Sequence, residues 1–341
     1  EPHYEQYMKF SKLAREIYGR YTDQIEPYGM DECWLDVTGS GCMGTGFEIA
    51  DEIRRTVKFE LGLTISAGVS FNKIFAKLGS DYKKPDGITA FTKENYKELL
   101  WRLPAADLLY VGRSTRNTLN RYGIKTIGEL ALSDPKFLER LLGKMGLVLY
   151  TFANGWDESP VSPQGYEAPV KSIGNSTTTP RDLENNLDVQ IVLMALAESV
   201  AARLRKHGFK CKVVSISIRD NGLYSFSRQK KLERPTDITN EIMKAANELF
   251  REHYNWQHPI RSLGVRAESL VLSDIPIQFN LFVSEEQREK QEKMDQAVDD
   301  IRRRFGYFSV QKAFMYQDKA LASLDAQSSH TVHPIGYFNG R

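Results

Sequence analysis

From Lys93 to about Trp156 the chain carries no strand signal, only short helical segments punctuated by Gly112, Gly123, Gly128, Gly143 and Gly146. That stretch reads as a small all-helical module. The segments on either side mix helix and strand periods, so the protein divides into domains of different class. Its 341 residues, 41% of them apolar, suffice for several cores, and roughly 100 to 200 residues per domain gives two to four. On the N-terminal side, Tyr4, Tyr7, Phe10, Leu13, Ile17 and Tyr21 recur at helical spacing within residues 1–24. Residues 24–30 and 33–37 read as two short strands flanking Asp31-Glu32, and residues 39–46 as a turn-rich break. A helix over 47–61, a strand over 64–69 and a helix over 72–81 follow, the pattern of an α+β layer rather than a strictly alternating parallel sheet.

After a Pro- and Ser-containing loop at 157–165, the order becomes helix 189–206, strands 211–219 and 224–231, helix 238–254 and strand 260–272. This is a second α+β domain of about a hundred residues. Beyond Asp274 come a short apolar segment, a highly charged helix over 284–305 that reads as solvated, and a polar tail with no core of its own, expected to attach to something else. The domains expected are therefore residues 1–91, 92–165, 170–272 and 273–341.

Composition excludes several classes of function. No run of about 18 apolar residues occurs, and the N-terminus lacks a basic segment followed by an apolar one, so nothing directs the chain to a membrane or for export. Cys33, Cys42 and Cys211 form no C-x-x-C, and the six histidines make no ligand cluster. Zinc and disulfides are not expected, and a reducing cytoplasm fits. The net charge is only +2 but unevenly spread. Residues 1–91 hold 11 Lys/Arg against 14 Asp/Glu, whereas residues 170–272 hold 16 against 11, which makes the second α+β domain the better phosphate-binding surface.

In the run Tyr28-Gly29-Met30-Asp31-Glu32-Cys33-Trp34-Leu35-Asp36-Val37-Thr38-Gly39, two adjacent carboxylates stand where one strand gives way to the next. Adjacent carboxylates repel each other, so a partly buried pair calls for a cation, and oxygen ligands without His or Cys favour magnesium or manganese. The dipeptide alone reads far more readily as a solvated hairpin tip, so its surroundings decide. Two further runs follow: Gly68-Val69-Ser70-Phe71-Asn72-Lys73-Ile74-Phe75-Ala76-Lys77, and Lys84-Pro85-Asp86-Gly87.

Together the three runs resemble the palm signatures of Y-family, DinB-type translesion DNA polymerases: D-E-x-x-L-D-V-T, G-V-x-x-N-K-x-x-A-K and K-P-x-G. The resemblance implies that Asp31 and Glu32 bind two metal ions, Mg2+ with Mn2+ as the alternative, with Glu32 beside the primer 3′ hydroxyl. It implies that Lys84 reaches the incoming dNTP. Lys73 and Lys77, four apart on one helical face, would meet either DNA phosphate or the palm edge, and Asp36 would hydrogen-bond within the hairpin. Met30 stands where the family usually has Ser. The family pattern also includes an apolar strand, D-x-D/N-x-F-[YF]-A-x-V-E, which bears a third carboxylate, and a fingers domain. Neither is among these residues, a difference of roughly 70 to 80 positions, so the chain as written is expected not to polymerise.

Residues 108–130 resemble the helix-hairpin-helix of the family's thumb. Gly112 matches its phosphate-facing glycine, while Ser114 stands where a second glycine is usual. Lys171-Ser172-Ile173-Gly174 resembles the start of the family's little finger, and Ile260-Arg261-Ser262-Leu263-Gly264-Val265-Arg266 its last strand. Lys212, Arg219, Arg228, Lys230 and Arg266 would then be DNA contacts or, individually, a solvated strand face. Gln278-Phe279-Asn280-Leu281-Phe282 resembles the peptide that docks bacterial polymerases on the sliding clamp, with Gln278 as polar anchor and Leu281 and Phe282 filling an apolar pocket. The alternative for that segment is an apolar strand packing on the little finger. The resemblance implies a monomeric, template-directed polymerase of the bacterial cytosol and nucleoid, acting on primer-template DNA. A polymerase-like adaptor that binds DNA and clamp without chemistry, and a metal-dependent nuclease, are the competing readings.

Overall fold

A computed structural model describes residues 3–166, 169–274 and 285–324. The described chain forms two compact units that meet in sequence near residue 168. Both mix helix and strand, as the α+β reading expects.

In the first unit, helix α1 (Tyr4–Tyr18) precedes an antiparallel hairpin of β1 (Ile25–Pro27) and β2 (Cys33–Leu35), with Ile25 opposite Leu35 and Pro27 opposite Cys33. Helix α2 (Gly46–Leu61) begins at a Thr45/Glu48 capping box and ends at Gly62 in the left-handed region. Strand β3 (Ala67–Ser70), helix α3 (Lys73–Tyr82) and β4 (Ile88–Phe91) make a crossover with the two strands parallel. Gly68 is what lets α3 lie against β3. A Cβ there would fall 1.9 Å from the Ala76 carbonyl oxygen and 2.5 Å from Ser80 N. Ile17, Tyr18, Tyr21, Ile25, Ile49, Ile53 and Val57 close one core under α1, α2 and the hairpin.

The helical module follows as expected: α4 (Tyr96–Leu100), α5 (Arg113–Arg121), α6 (Ile127–Leu132), α7 (Pro135–Leu142) and α8 (Lys144–Ala153). Its core is continuous with α3 and β4, because Phe75 and Phe91 pack into one cluster with Leu100, Leu119, Leu138, Leu149 and Phe152.

The second unit is a four-stranded antiparallel sheet in the order β5-β8-β6-β7, made of β5 (Ser172–Leu183), β6 (Phe209–Asp220), β7 (Ser225–Thr236) and β8 (Ile260–Leu272). Helices α9 (Asn186–Lys206) and α10 (Thr239–His253) bury one face of it, on which Val214, Ile216, Ile218, Leu263, Val265 and Ala267 point inward. The alternation along β6 and β8 is the period-two signature of a sheet covered on one side.

One expectation about the C-terminal region is overturned. Helix α11 (Glu285–Phe305) is not merely solvated: Arg288, Asp295 and Arg302 are buried and ion-paired to the unit beneath, Arg288 with Glu241, Asp295 with Arg205 and Arg302 with Glu198. The segment after it has no core of its own and attaches to that unit. Met315 and, on the short helix α12 (Lys319–Ala322), Leu321 and Ala322 are buried in the same cluster as α9. A polar composition concealed this, because charge pairing and three small apolar contacts do the docking. The proposed clamp residues Gln278, Leu281 and Phe282 lie outside the described residues.

Candidate active site

Asp31 and Glu32 end the turn between β1 and β2. The turn is closed by Tyr28 N and Gly29 N donating to the Glu32 carbonyl at 2.9 and 3.4 Å. It is tied to α1 by the Ser11 hydroxyl donating to the Met30 carbonyl, with Arg15 donating in turn to Ser11 Oγ at 2.6 Å. Met30 thus contributes its backbone, which explains why its side chain is free to differ. Asp31 is exposed and Glu32 half-buried. Asp36 accepts from Thr38 N at 2.9 Å, and these bonds from Thr38 hold its carboxyl below the usual range.

Helix α3 grips the hairpin at two levels. Its N-cap Asn72 accepts from Phe75 N at 2.8 Å and donates to the Gly155 carbonyl at 3.1 Å, anchoring the helix start to the end of the helical module. Lys73 turns into the hairpin: Nζ lies 2.7 Å from Glu26 and 4.7 Å over the Trp34 ring, while Trp34 Nε1 donates to the Lys73 carbonyl at 2.8 Å. Of the two places open to Lys73 in the sequence, the structure gives it the hairpin edge.

One turn later Lys77 lies 3.0 Å from Glu32 and 2.6 Å from Asp81, and Asp81 in turn lies 2.5 Å from Lys84. Glu32, Lys77, Asp81 and Lys84 therefore form a line of alternating charge from the hairpin turn to the K-P-x-G segment. Burial works against the Lys77 ammonium, but Asp81 and Glu32 outweigh it and raise its pKa. Burial likewise pushes Asp81 up, and Lys77 and Lys84 overcome that and lower it. Sequence reasoning found the ends of this line and missed Asp81, whose signal is its spacing: four residues after Lys77 and three before Lys84. Asp86, in the same segment, is held by Lys58 at 2.6 Å and Arg54 at 2.8 Å, pairs that lower its pKa.

The impB/mucB/samB family model matches residues 1–81, and that of the family's C-terminal domain matches residues 170–281. DNA polymerase IV of Acetivibrio thermocellus is 51% identical over 316 residues, which are 92% of this chain and 79% of the relative. The chain belongs to the impB/mucB/samB family. DNA polymerase IV of Clostridium acetobutylicum is 35% identical over 305 residues, 89% of this chain and 76% of its own. Among solved structures, a Y-family DNA polymerase chimera shares the fold at a TM-score of 0.68 and 22% identity, over 79% of this chain and 78% of that one.

Membership of this Y-family group implies a divalent metal. Asp31 and Glu32 offer carboxylate oxygens with no His or Cys, a donor set suited to a hard cation. Among the described residues no group of three His, Cys, Asp or Glu side chains is placed to hold a metal.

The remaining family-matched residues fall in three places. Gly112 is the N-cap of α5, extended at φ −75°, with nothing within 4 Å of where a Cβ would stand. In the second unit, Arg219 and Arg266 are exposed on the sheet face opposite the helices, in register with Ser262 and Ser215 respectively. That open face is lined by small residues, including Ser176, Thr178, Ser217 and Ser227, and the Arg266 side chain lies across Gly174, within 3.2 Å of where a Cβ would stand. Arg228 and Lys230 pair with Ile216 and Val214, which puts them on the helix-covered face. Lys230 is bonded there to Glu248 of α10 at 2.7 Å, and Arg228 stacks over Phe226 at 5.2 Å. Lys212 is exposed where the β6–β7 register shifts. No helix among the described residues is long and apolar enough to cross a membrane.

Proposed function

We propose that the chain works as a template-directed DNA polymerase of translesion synthesis, transferring a nucleotide from dNTP to a primer 3′ hydroxyl. The observation that carries this reading is the charge line Glu32–Lys77–Asp81–Lys84, which joins a carboxylate of the hairpin turn to a phosphate-seeking lysine along the C-terminal half of one helix. Asp31 and Glu32 would hold two Mg2+ ions, together with the carboxylate that the family pattern takes from a further strand. What divalent ions supply at such a site is a lower pKa for the attacking hydroxyl and neutralisation of charge on the leaving pyrophosphate. Lys84 binds the triphosphate, and the hairpin and α3 keep carboxylates and lysine in fixed relation.

In domain terms, residues 1–91 serve as palm, 92–165 as thumb, 170–272 as little finger and 273–341 as a C-terminal segment that docks on the sliding clamp through Gln278, Leu281 and Phe282. The uncapped N-terminus of α5 at Gly112, with Arg113 and Arg116 exposed beside it, suits a backbone phosphate. The open sheet face with Arg219, Arg266 and small hydroxyl side chains suits a duplex backbone held without base readout. The protein acts as a monomer in the bacterial cytosol, at the nucleoid.

Primer extension on undamaged template with Mg2+ tests the reading. The chain as printed is compared with the chain joined to the family-type opening strand and fingers, and with that joined protein carrying Asp31→Ala. Extension by the joined protein, abolished by the substitution, is the expected result. A joined protein that binds DNA and clamp yet extends nothing is an adaptor.

A further inference from the structure

We propose that Lys77 is a built-in counter-ion that occupies the cation's place on Glu32, and that Asp81 takes Lys77 over when a divalent cation binds. The proposal rests on Asp31 and Glu32 being cation ligands.

The geometry points to a handover. Lys77 Nζ stands 3.0 Å from Glu32 and 2.6 Å from Asp81, so it already touches both partners and needs no excursion to change between them. Its stem is packed on α3 with the side chain 18% exposed, whereas Glu32 is 34% and Asp81 49% exposed. An ammonium and a divalent ion repel, and they compete for the same carboxylate oxygens. A cation arriving at Glu32 therefore displaces Lys77, and the cost depends on what receives the ammonium. Asp81 receives it.

Asp81 is at the same time the partner of Lys84, at 2.5 Å. Polyphosphate that draws Lys84 away leaves Asp81 wholly to Lys77, which loosens Lys77 from Glu32. Cation binding at Glu32 and polyphosphate binding at Lys84 are thus positively coupled through two side chains that touch neither ligand, and the coupling is reciprocal. Lys77 and Asp81 are positioning residues in this scheme.

The test needs no catalysis. Mn2+ binding to the chain is measured by titration with electron paramagnetic resonance of the free ion, without nucleotide, on wild type, Lys77→Met, Asp81→Asn, the double variant and Glu32→Gln. Lys77→Gln serves as a second neutral variant, and circular dichroism checks that each is folded. Removing the competing ammonium should tighten Mn2+ binding about three- to tenfold, the range for a part-exposed charge pair plus one nearby like charge. Asp81→Asn should weaken it about two- to threefold in the wild-type background and change nothing in the Lys77→Met background, since Asp81 acts through Lys77. A Glu32-dependent site that Lys77→Met leaves unchanged or weakens, or on which the two substitutions simply add, overturns the handover while leaving the metal reading intact. Absence of any Mn2+ site sensitive to Glu32→Gln, in wild type and Lys77→Met alike, overturns the metal reading and the handover with it.

Discussion

Lys73 Nζ lies 2.7 Å from Glu26 Oε1, with side chains only 6% and 9% exposed, and the pair ties three segments together. Glu26 also accepts from Ser162 N at 2.8 Å and Lys73 donates to the Pro160 carbonyl at 3.2 Å, so the loop after the helical module is fastened to the hairpin. Lys73→Met leaves a buried carboxylate without its cation and should cost about 3–5 kcal/mol, read by urea unfolding at pH 7. Burial pulls the Glu26 carboxyl up, but Lys73 and Ser162 outweigh it and hold it below the usual range. Its contribution is therefore complete above the unfolded value of about 4.3 and fades as pH falls through the lower folded value. The gap between wild type and Lys73→Met should be full at pH 7 and narrow below about pH 4.

Arg302 fastens α11 to α9 in the same manner, 2.9 Å from Glu198 with both side chains 6% exposed, and donates as well to the Val310 carbonyl. Burial pushes the Glu198 carboxyl up, against the pull of Arg302. Arg302→Met alone should cost about 3–5 kcal/mol, whereas Arg302→Met with Glu198→Leu should recover most of the loss, since a buried pair gains little over apolar packing. Limited trypsin digestion should cut within α11 in the single variant and far more slowly in the double.

The contrast between α3 and α11 shows what a sequence makes legible. Around the hairpin, apolar residues recur at strand and helix periods, so β1, β2, α2 and α3 are readable within a few positions, and the motif spacing marks Asp31, Glu32 and Lys84. On α11 the buried stripe is Arg288, Asp295 and Arg302, seven residues apart, with Asp299 on Arg205 and Glu292 on Lys210. The apolar residues that do recur there, Met294, Ile301 and Phe305, are exposed, so they point away from the buried stripe, and the partners of the buried charges lie 47 to 104 residues away in sequence. Strand β5 is hidden for a related reason. Its inward face mixes Ile173 and Leu183 with Asn175 and Thr179, which are buried through hydrogen bonds to Ser199 and to the Arg181 and Arg261 carbonyls. Strand β4 is four residues long and pairs in parallel across α3, so no hairpin announces it. The Glu32–Lys77 link depends on the rotational phase of α3 against the hairpin, which no local pattern encodes.

Gly68 is the glycine of the second motif, and its requirement is steric contact rather than backbone freedom. Gly68→Ala places a methyl 1.9 Å from the Ala76 carbonyl oxygen and 2.8 Å from the Gly79 carbonyl carbon, both backbone atoms that cannot rotate aside. The helix that carries Lys73, Lys77 and Asp81 would have to lift from β3, at a cost of about 3 kcal/mol or more. Thermal unfolding should show the loss.

The two faces of the second unit's sheet should separate in DNA binding. Arg219 and Arg266 are exposed on the face without helices, whereas Lys230 is spent on Glu248 and Arg228 stacks on Phe226 on the other face. If duplex DNA lies on the open face, Arg219→Ala and Arg266→Ala should each weaken binding and reduce the slope of log affinity against log salt by about 0.9, one phosphate contact apiece. Lys230→Ala should leave the slope unchanged, because its ammonium is held by Glu248 on the other face. Fluorescence anisotropy of a labelled primer-template across a KCl series reads both quantities. Equal slope changes for Arg266→Ala and Lys230→Ala would mean that DNA tracks the β7 edge rather than the open face.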